Sequence, residues 1–561
     1  MTKPNPIGFF GLIVSIIITL QPLALIANEA DTQGEDENQN TSRVLGKISF
    51  PTTSKSEQAQ TAFIEGMLLL HLFEYPFAQE KFQIAQQLDT GFAMAYWGEA
   101  MTYNHPIWDE QDQDEALAAL DKLGNSLEAR QSKTDSQKEK DYLAALDLLY
   151  GGGPKADRDK AYMWYMQKMA DDYPHDHEVQ LFYALSIFGA SAGVRDVPAY
   201  MQSTAISQRV FYANREHPGA AHYLIHGVDD PVHAPLGLEA ARTLAILAPD
   251  AGHSQHMTSH IFTAVGMWND VISANQSAVL VQNKMRVSRN QPARHWGHYN
   301  FWLLYGFLQQ GRHNEAADLL KSAYKEAVDS GAVPKEPLEL DADRSQVGSL
   351  VQMWGRYMIE TRGKDRQMAD WTFNMGEAFD PKLTFHYVRA LDASQWKTPS
   401  EAIEHLHAFQ SLKTQLHEAI LSMDRQAPGD LIYLDRLNVM DREMQATIAL
   451  AQDQPDLALT HAHEANRLEG EMPFAFGPPF VDLPSAELLG RILFSLGHFS
   501  EAVEAFETQA GRTRLKTLPM LGQARAEAAR GNQAAANQLT ERLGSLWINA
   551  DADVKAKLVF E

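Results

Sequence analysis

Apolar residues recur every three or four positions along almost the whole chain after Ser56. This spacing places them on one face of an α-helix, because a helix completes a turn about every 3.6 residues. Short stretches rich in Gly, Pro and Asp separate the helical segments, and the alternation typical of β-strands is scarce. The pattern therefore predicts an all-α protein.

The helical segments repeat with a period of 34 residues, which relates Gly66 to Ala100 and Gly497 to Gly531. The strings GRHNEAA, from Gly311, and GHFSEAV, from Gly497, are typical of the turn between two paired helices. These features resemble the tetratricopeptide family, in which each helix pair buries its apolar face only against its neighbours. The resemblance covers about two thirds of residues 56–545 and implies a solenoid of stacked antiparallel helix pairs.

Composition and repeat register divide the chain into six segments. We predict a signal peptide at 1–27, a flexible acidic linker at 28–55, a tetratricopeptide-like array with a histidine-rich groove at 56–335, a helical spacer at 336–440, further tetratricopeptide-like repeats at 441–545 and a C-terminal tail at 546–561. The spacer lies where the 34-residue register is lost.

The N-terminal residues have the pattern of a secretory signal peptide. Lys3 gives a weakly basic start, residues 7–20 are almost wholly apolar, and Ala27 offers a cleavage site. The sequence therefore predicts export to the periplasm or secretion. The alternative is an uncleaved membrane anchor, because the apolar stretch approaches the length that spans a bilayer. In that case this segment would be the only part in contact with a membrane.

Charge and cysteine content narrow the classes of partner. The formal net charge is -24 and no basic stripe offsets it, so nucleic acid is excluded as a partner. A peptide or protein partner is compatible with this charge. The chain contains no cysteine, which excludes disulfides, thiolate ligands and acylation of an N-terminal cysteine. Its 21 histidines are therefore the most informative residues.

Two histidine pairs share the helix repeat. His222 and His226 are four residues apart and lie on one helix face, and His256 and His260 have the same spacing. The pairs are 34 residues apart, and equivalent positions in stacked repeats lie side by side. We expect the four imidazoles to converge on one point in the concave groove. His253, one turn before His256, joins the same face.

Neutral imidazole is a common ligand of zinc and copper, so these five histidines are predicted to bind one divalent ion. Further residues are predicted to orient the ligands from behind or to act as a base: Glu216, Asp229, Asp230, His217, His298 and His105. Neither pair contains the glutamate of an H-E-x-x-H motif, which excludes that class of zinc protease. Two alternatives are a groove for an anionic or peptide ligand, and ordinary packing of the histidines.

The strings HLFEYPFA, NHPIW, HPGAAHYLIH, DDPVHAPLGL and HMTSHIF together resemble a bacterial group of exported tetratricopeptide proteins. This resemblance implies export and the repeat fold but no reaction. The sequence has no phosphate-binding glycine loop, nucleophile elbow or dinucleotide fingerprint, so it contains no recognised catalytic motif. Three functions are left: an exported scaffold with a metal site that binds a peptide or protein, a metal-dependent enzyme that activates water, and a metal-free interaction module.

Overall fold

The structure is a computed structural model that describes residues 43–191, 195–396, 398–423, 428–474 and 476–559. The predicted signal peptide and the first part of the predicted linker lie outside the described residues. Within these ranges no helix is both long enough and apolar enough to cross a membrane.

Helices account for nearly all of the secondary structure. The described residues form 26 α-helices: α1 Glu57–His71, α2 Tyr75–Leu88, α3 Ala93–Met101, α4 Gln113–Asp121, α5 Leu127–Gln131, α6 Gln137–Leu149, α7 Lys155–Asp172, α8 His177–Ala190, α9 Val197–Ala213, α10 Pro218–Gly227, α11 Leu238–Leu247, α12 Gly252–Val265, α13 Trp268–Ser288, α14 His298–Gln309, α15 His313–Ser330, α16 Gln346–Thr361, α17 Arg366–Ala369, α18 Phe379–Gln395, α19 Pro399–Leu421, α20 Pro428–Ala451, α21 Pro455–Glu471, α22 Ser485–Ser495, α23 Phe499–Arg512, α24 Thr517–Ala529, α25 Gln533–Leu546 and α26 Ala552–Lys555. Three 3-10 helices and one antiparallel hairpin complete the set: Ala234–Gly237, Ala342–Arg344, Ala556–Leu558, β1 Asn104–His105 and β2 Glu110–Gln111. The predicted all-α fold of stacked antiparallel helix pairs is confirmed.

Small residues set the spacing between consecutive helices. The ring of Phe82 on α2 fills the space beside Gly66 of α1 and Gly98 of α3, where an added Cβ would collide with it. Phe506 on α23 packs against Gly490 of α22 in the same way. The same contact between a phenylalanine ring and a glycine thus recurs near both ends of the chain, as expected if the 34-residue sequence repeat forms a repeated packing unit.

Two large hydrophobic cores divide the helices. The first contains buried residues from Leu45 to Tyr305, and the second contains buried residues from Ile272 to Ala526, so both draw on α13 and α14. The described helices of the predicted spacer, α16 to α20, contribute to the second core together with α22 and α23. The spacer therefore shares its core with the repeats that follow it.

The described end of the predicted linker is extended and packed. Residues 44–55 contain no helix, but Leu45 and Phe50 are buried. The Lys47 backbone N–H donates to the carbonyl oxygen of Glu216 at 2.8 Å. A few apolar residues within a polar stretch are thus enough to hold this segment against the first core.

Candidate metal centre

Three neighbouring helices carry the six histidines of this region. His222 and His226 lie on α10, whose first residue is Pro218, the helix position that best tolerates proline. Helix α12 carries three more, and it ends at Gly266, which adopts a left-handed conformation with φ of 72°. His298 is the first residue of α14. The sequence thus places histidines on one face of each of three helices.

The structure arranges these side chains as two groups of three. His222, His226 and His253 form the first histidine trio, with one nitrogen of each ring within 4.8 Å of the others. The second histidine trio is formed in the same way by three further residues: His256, His260 and His298. The five histidines predicted as ligands all belong to a trio, and each pair lies in a separate trio, where the sequence predicted a single point of convergence.

Hydrogen bonds orient the second histidine trio through its Nδ1 atoms. Nδ1 of His256 donates to Oδ1 of Asn275 at 2.7 Å, and the orientation of that amide is set by its own donation to the Val271 carbonyl. Nδ1 of His260 donates to the Asp229 carboxylate at 2.6 Å. A carboxylate behind a ligating histidine fixes the ring and raises its basicity.

The third member of the second trio has the same kind of support. Nδ1 of His298 contacts the Asp343 carboxylate at 2.6 Å. The side chain of His298 is 43% exposed, whereas that of His260 is 11% exposed. The second trio is therefore reachable from solvent on the side of α14.

In the second trio the Nε2 atoms of two histidines face each other. Nε2 of His256 and Nε2 of His260 are 3.0 Å apart. Each Nδ1 atom donates its proton to an acceptor, so in the neutral form of the rings the two Nε2 atoms present lone pairs to each other, which is unfavourable unless a cation lies between them. Two nitrogens bound to one tetrahedral zinc at about 2.0–2.1 Å lie roughly 3.3 Å apart, close to the observed separation. The residues therefore fit a metal ion.

The first histidine trio has a related arrangement. Nδ1 of His222 donates to the carbonyl oxygen of His71 at 2.7 Å, which leaves its Nε2 unprotonated in the neutral ring. That Nε2 lies 3.1 Å from Nε2 of His226. Nε2 of His253 is buried and has no hydrogen-bond partner among the described residues. An unsatisfied buried nitrogen beside two others again fits a bound cation.

Burial keeps most of these rings neutral. It lowers the pKa of His222 to about 3. It also lowers the pKa of His226, His253 and His256 well below the ordinary value, and neighbouring imidazoles add to the effect. Neutral imidazole is the form that binds metal.

His298 differs from these rings in its protonation. Burial lowers its pKa, but the Asp343 carboxylate outweighs burial and the net pKa is above the ordinary value. In the metal-free protein His298 is therefore protonated more readily than an ordinary histidine, and a metal ion must displace that proton.

The two trios are neighbours within one aromatic pocket. The ring centroids of His253 and His256 are 6.5 Å apart. Phe73 packs on His222 at 4.4 Å on one side, and Trp302 packs on His260 at 4.3 Å on the other. These rings fix the imidazoles and limit access by water.

A third group of buried ligand-type residues is paired internally through Glu178, although Nδ1 of His217 is buried without a hydrogen-bond partner among the described residues. Glu178 contacts Nε2 of His71 at 2.7 Å and Nε2 of His217 at 3.1 Å. Nδ1 of His71 also contacts the Tyr223 hydroxyl at 2.9 Å. Burial raises the pKa of Glu178, but the two imidazoles outweigh it and the net pKa lies below the ordinary value. The carboxylate is thus ionised and already paired, so this group supports the backbone behind His222.

The residues predicted to support the site lie in different places. Asp229 contacts a ligand ring, and His298 is a member of a trio. His217 belongs to the third group, whereas Asp230 pairs with Arg195 and His233. Glu216 is exposed and pairs with Lys47, and His105 stacks on Tyr75 at 4.1 Å with Nε2 near the Thr102 carbonyl.

Several supporting residues were not predicted from the sequence. Asn275, Asp343 and the carbonyl of His71 orient rings of the trios, and Trp302 packs on them. Asn275, Asp343 and Trp302 occupy no position related to a histidine by the repeat period, so no periodic signal marks them, whereas His71 lies one period of 34 residues before His105. The helical spacing of Trp302 from His298, four residues along α14, is the one cue that the sequence offered.

Neither a protein-family model nor a curated protein sequence matches the chain. Solved structures with similar folds include the APC/C hetero-tetramer Cut9–Hcn1, with a TM-score of 0.30, 11% identity and coverage of 91% of this chain and 79% of that one. The human IFIT1 dimer with PPP-AAAA has a TM-score of 0.32 and 13% identity, covering 86% of this chain and 95% of its own. For yeast Tom70 the TM-score is 0.32 and the identity is 12%, and the match covers 87% of this chain and 100% of the Tom70 chain. Likenesses at this level carry no indication of function.

Proposed function

We propose that the protein binds two zinc or copper ions, one in each histidine trio, and acts as a metal-dependent hydrolytic enzyme. The observation that carries this proposal is the 3.0 Å approach of Nε2 of His256 to Nε2 of His260, while both Nδ1 atoms donate elsewhere. Each trio supplies three nitrogen ligands from rigid helices, so the ligand positions are set before the ion arrives.

Ligand number favours catalysis over a structural role. Structural zinc sites have four protein ligands, whereas catalytic sites have three and leave a position for water. Each trio offers three imidazoles. A divalent ion held in this way lowers the pKa of a bound water, which supplies a nucleophile near neutral pH.

The residues around the second trio would support such chemistry because they orient the imidazole ligands. Asp229 and Asp343 hold two rings by Nδ1 and direct their Nε2 atoms inward. Trp302 covers one face of His260 and excludes water from that side. The exposed edge of His298 leaves an approach for a substrate. Export of the chain and binding of a peptide or protein partner in the groove stay predictions.

Cobalt substitution tests the open coordination position. Protein without a histidine tag is loaded with Co²⁺, and its visible absorption is recorded before and after addition of azide. We expect an absorption band that shifts with azide, because a small anion enters the vacant position. A cobalt spectrum that azide leaves unchanged would show a closed site and contradict the enzymatic role.

A matched control removes two histidines that touch outside the trios. Nδ1 of His386 and Nδ1 of His405 are 2.8 Å apart, but this pair belongs to no group of three potential ligands within the described ranges. The double variant H386A/H405A should retain the cobalt spectrum and its azide shift. The double variant H256A/H260A should lose the part contributed by the second trio.

A further inference from the structure

A cavity of about 610 Å³ lies among helices of the second core, away from the histidine trios. Its lining residues come from α16, α18, α20, α22, α23 and α24 and from the segments that follow α16 and precede α22. This volume lies within the range of about 300–1,000 Å³ that is typical of small-molecule pockets.

Most of the wall is apolar. The side chains that form it include Ile359, Val388, Leu450, Leu488 and Phe494. Water forms few hydrogen bonds with such a surface. An apolar ligand that displaces this water therefore gains about 25 cal/mol of binding free energy per Å² of apolar surface buried.

Three arginines also line the cavity: Arg362, Arg491 and Arg525. Arg362 is exposed, and its guanidinium has no hydrogen bond or ion pair with any residue that the structure describes. The nearby positive charge of Arg491 is the main cause that lowers the pKa of Arg362 to about 9. Like charges are therefore crowded in one place in a chain whose formal net charge is -24.

The acidic groups nearby are engaged with other cations. Asp392 lines the cavity and pairs with Arg366 at 2.7 Å. Glu487 pairs with Arg491 and also with the buried Lys516, at 2.8 Å from the latter. Arg362 consequently has no direct ion pair within the described part of the chain, and the charges of Glu487 and Glu360 act on it only at longer range.

We infer that this cavity binds an aliphatic carboxylate, with the carboxylate at Arg362 and the hydrocarbon chain against the apolar wall. A guanidinium forms two parallel hydrogen bonds with a carboxylate, which suits an anion with one charged end. Inorganic phosphate would leave the apolar wall in contact with water, and a neutral alcohol would leave Arg362 without an anionic partner. The proposal is independent of the histidine trios.

Titration calorimetry with decanoate tests this assignment on the full chain. We expect binding that strengthens about fourfold for each added methylene from octanoate to dodecanoate, since one methylene contributes about 0.8 kcal/mol. Decanol and inorganic phosphate should bind at least tenfold more weakly than decanoate. Equal binding of decanol, or no dependence on chain length, would overturn the proposal. Tighter binding of a short peptide ending in leucine would overturn it in favour of a peptide ligand.

An arginine variant tests the position of the carboxylate. Arg362→Gln should weaken decanoate binding about 10- to 100-fold, because hydrogen bonds to a charged group are worth about 1.5–3 kcal/mol. The substitution breaks no ion pair among the described residues, so the fold should persist, and circular dichroism checks this. Arg366→Gln is the matched control, because Arg366 pairs with Asp392 and does not line the cavity. Unchanged binding in R362Q would overturn the proposal.

Discussion

The Asp229 carboxylate accepts a hydrogen bond from Nδ1 of His260 at 2.6 Å, and both groups are largely buried. This contact determines which nitrogen of His260 carries the proton, so Nε2 is left to face His256. A residue on the loop after α10 thereby sets the chemistry of a ring on α12. The neighbouring carboxylate, Asp230, is directed away and contacts Arg195 and His233.

The adjacent aspartates make a matched pair of variants. Asp229→Asn should weaken metal binding by the second histidine trio about 10- to 100-fold, because the carboxylate that orients His260 is lost. Asp230→Asn should leave that affinity unchanged. Competition with a chromophoric chelator measures both, and equal affinities for the two variants would show that Asp229 does not orient the ligand.

Gly477, in the segment before α22, packs against Trp302, which in turn packs on the second histidine trio. An added Cβ at Gly477 would collide with the indole of Trp302, whose ring packs on His260 at 4.3 Å. Gly477→Ala should lower the free energy of unfolding by about 1–3 kcal/mol and weaken metal binding by the second trio. Chemical denaturation and chelator competition measure the two effects.

Gly497 provides the control for backbone strain. Its φ of 83° is similar to the 77° of Gly477, but nothing lies within 4 Å of an added Cβ. Gly497→Ala should lower stability and leave metal affinity unchanged. If both variants lose metal affinity to the same extent, contact with Trp302 is not the cause.

The third group should behave as a structural one. Glu178→Gln leaves two buried imidazoles without their carboxylate, which should lower the free energy of unfolding by about 3–5 kcal/mol. Metal content should be unchanged, because Glu178 already pairs with both imidazoles in the absence of an ion. Urea denaturation and elemental analysis test this, and loss of a metal ion in the folded variant would place a third ion there.

His313 should give the chain a specific dependence of stability on pH. Burial, with the charge of Lys557, lowers its pKa from 6.5 to about 4. Between these values the unfolded chain binds a proton that the folded chain does not, so stability present above pH 6.5 is lost as the pH falls. The loss attributable to this residue is at most about 1.4 kcal/mol per pH unit.

A variant isolates this effect. His313→Asn should be less stable than the parent at pH 8, and the difference should shrink between pH 6.5 and 4. Urea denaturation across this range measures it. A difference for His313→Asn that stays constant across this pH range would contradict a depressed pKa.

The fold could be predicted because the sequence features that determine it recur at regular intervals. The spacing of apolar residues defines the helices, and the 34-residue repeat reflects contacts such as that of Phe82 with Gly66. The extended segment around Phe50 was not predicted, since one buried ring in a polar stretch has no periodic signature.

The candidate site was predictable in its residues but not in its grouping. The spacing of four residues places His222 and His226 on one helix face, and the repeat relates them to the pair on α12. Which rings meet depends on the rotation of each helix about its own axis. That rotation is set by tertiary packing and cannot be read from the spacing of the histidines. His253 joins the pair of α10, and His298 joins the pair of its own neighbour α12. Asp343 comes from a 3-10 helix outside the repeat register.

Metal stoichiometry tests the central claim most directly. Elemental analysis of untagged protein, grown with zinc or copper and freed of loosely bound metal, should give two ions per chain, one for each histidine trio. The double variants H222A/H226A and H256A/H260A should each retain one ion, and their combination none. A single ion that either double variant abolishes would indicate one shared site, and metal-free protein under these conditions would contradict the account.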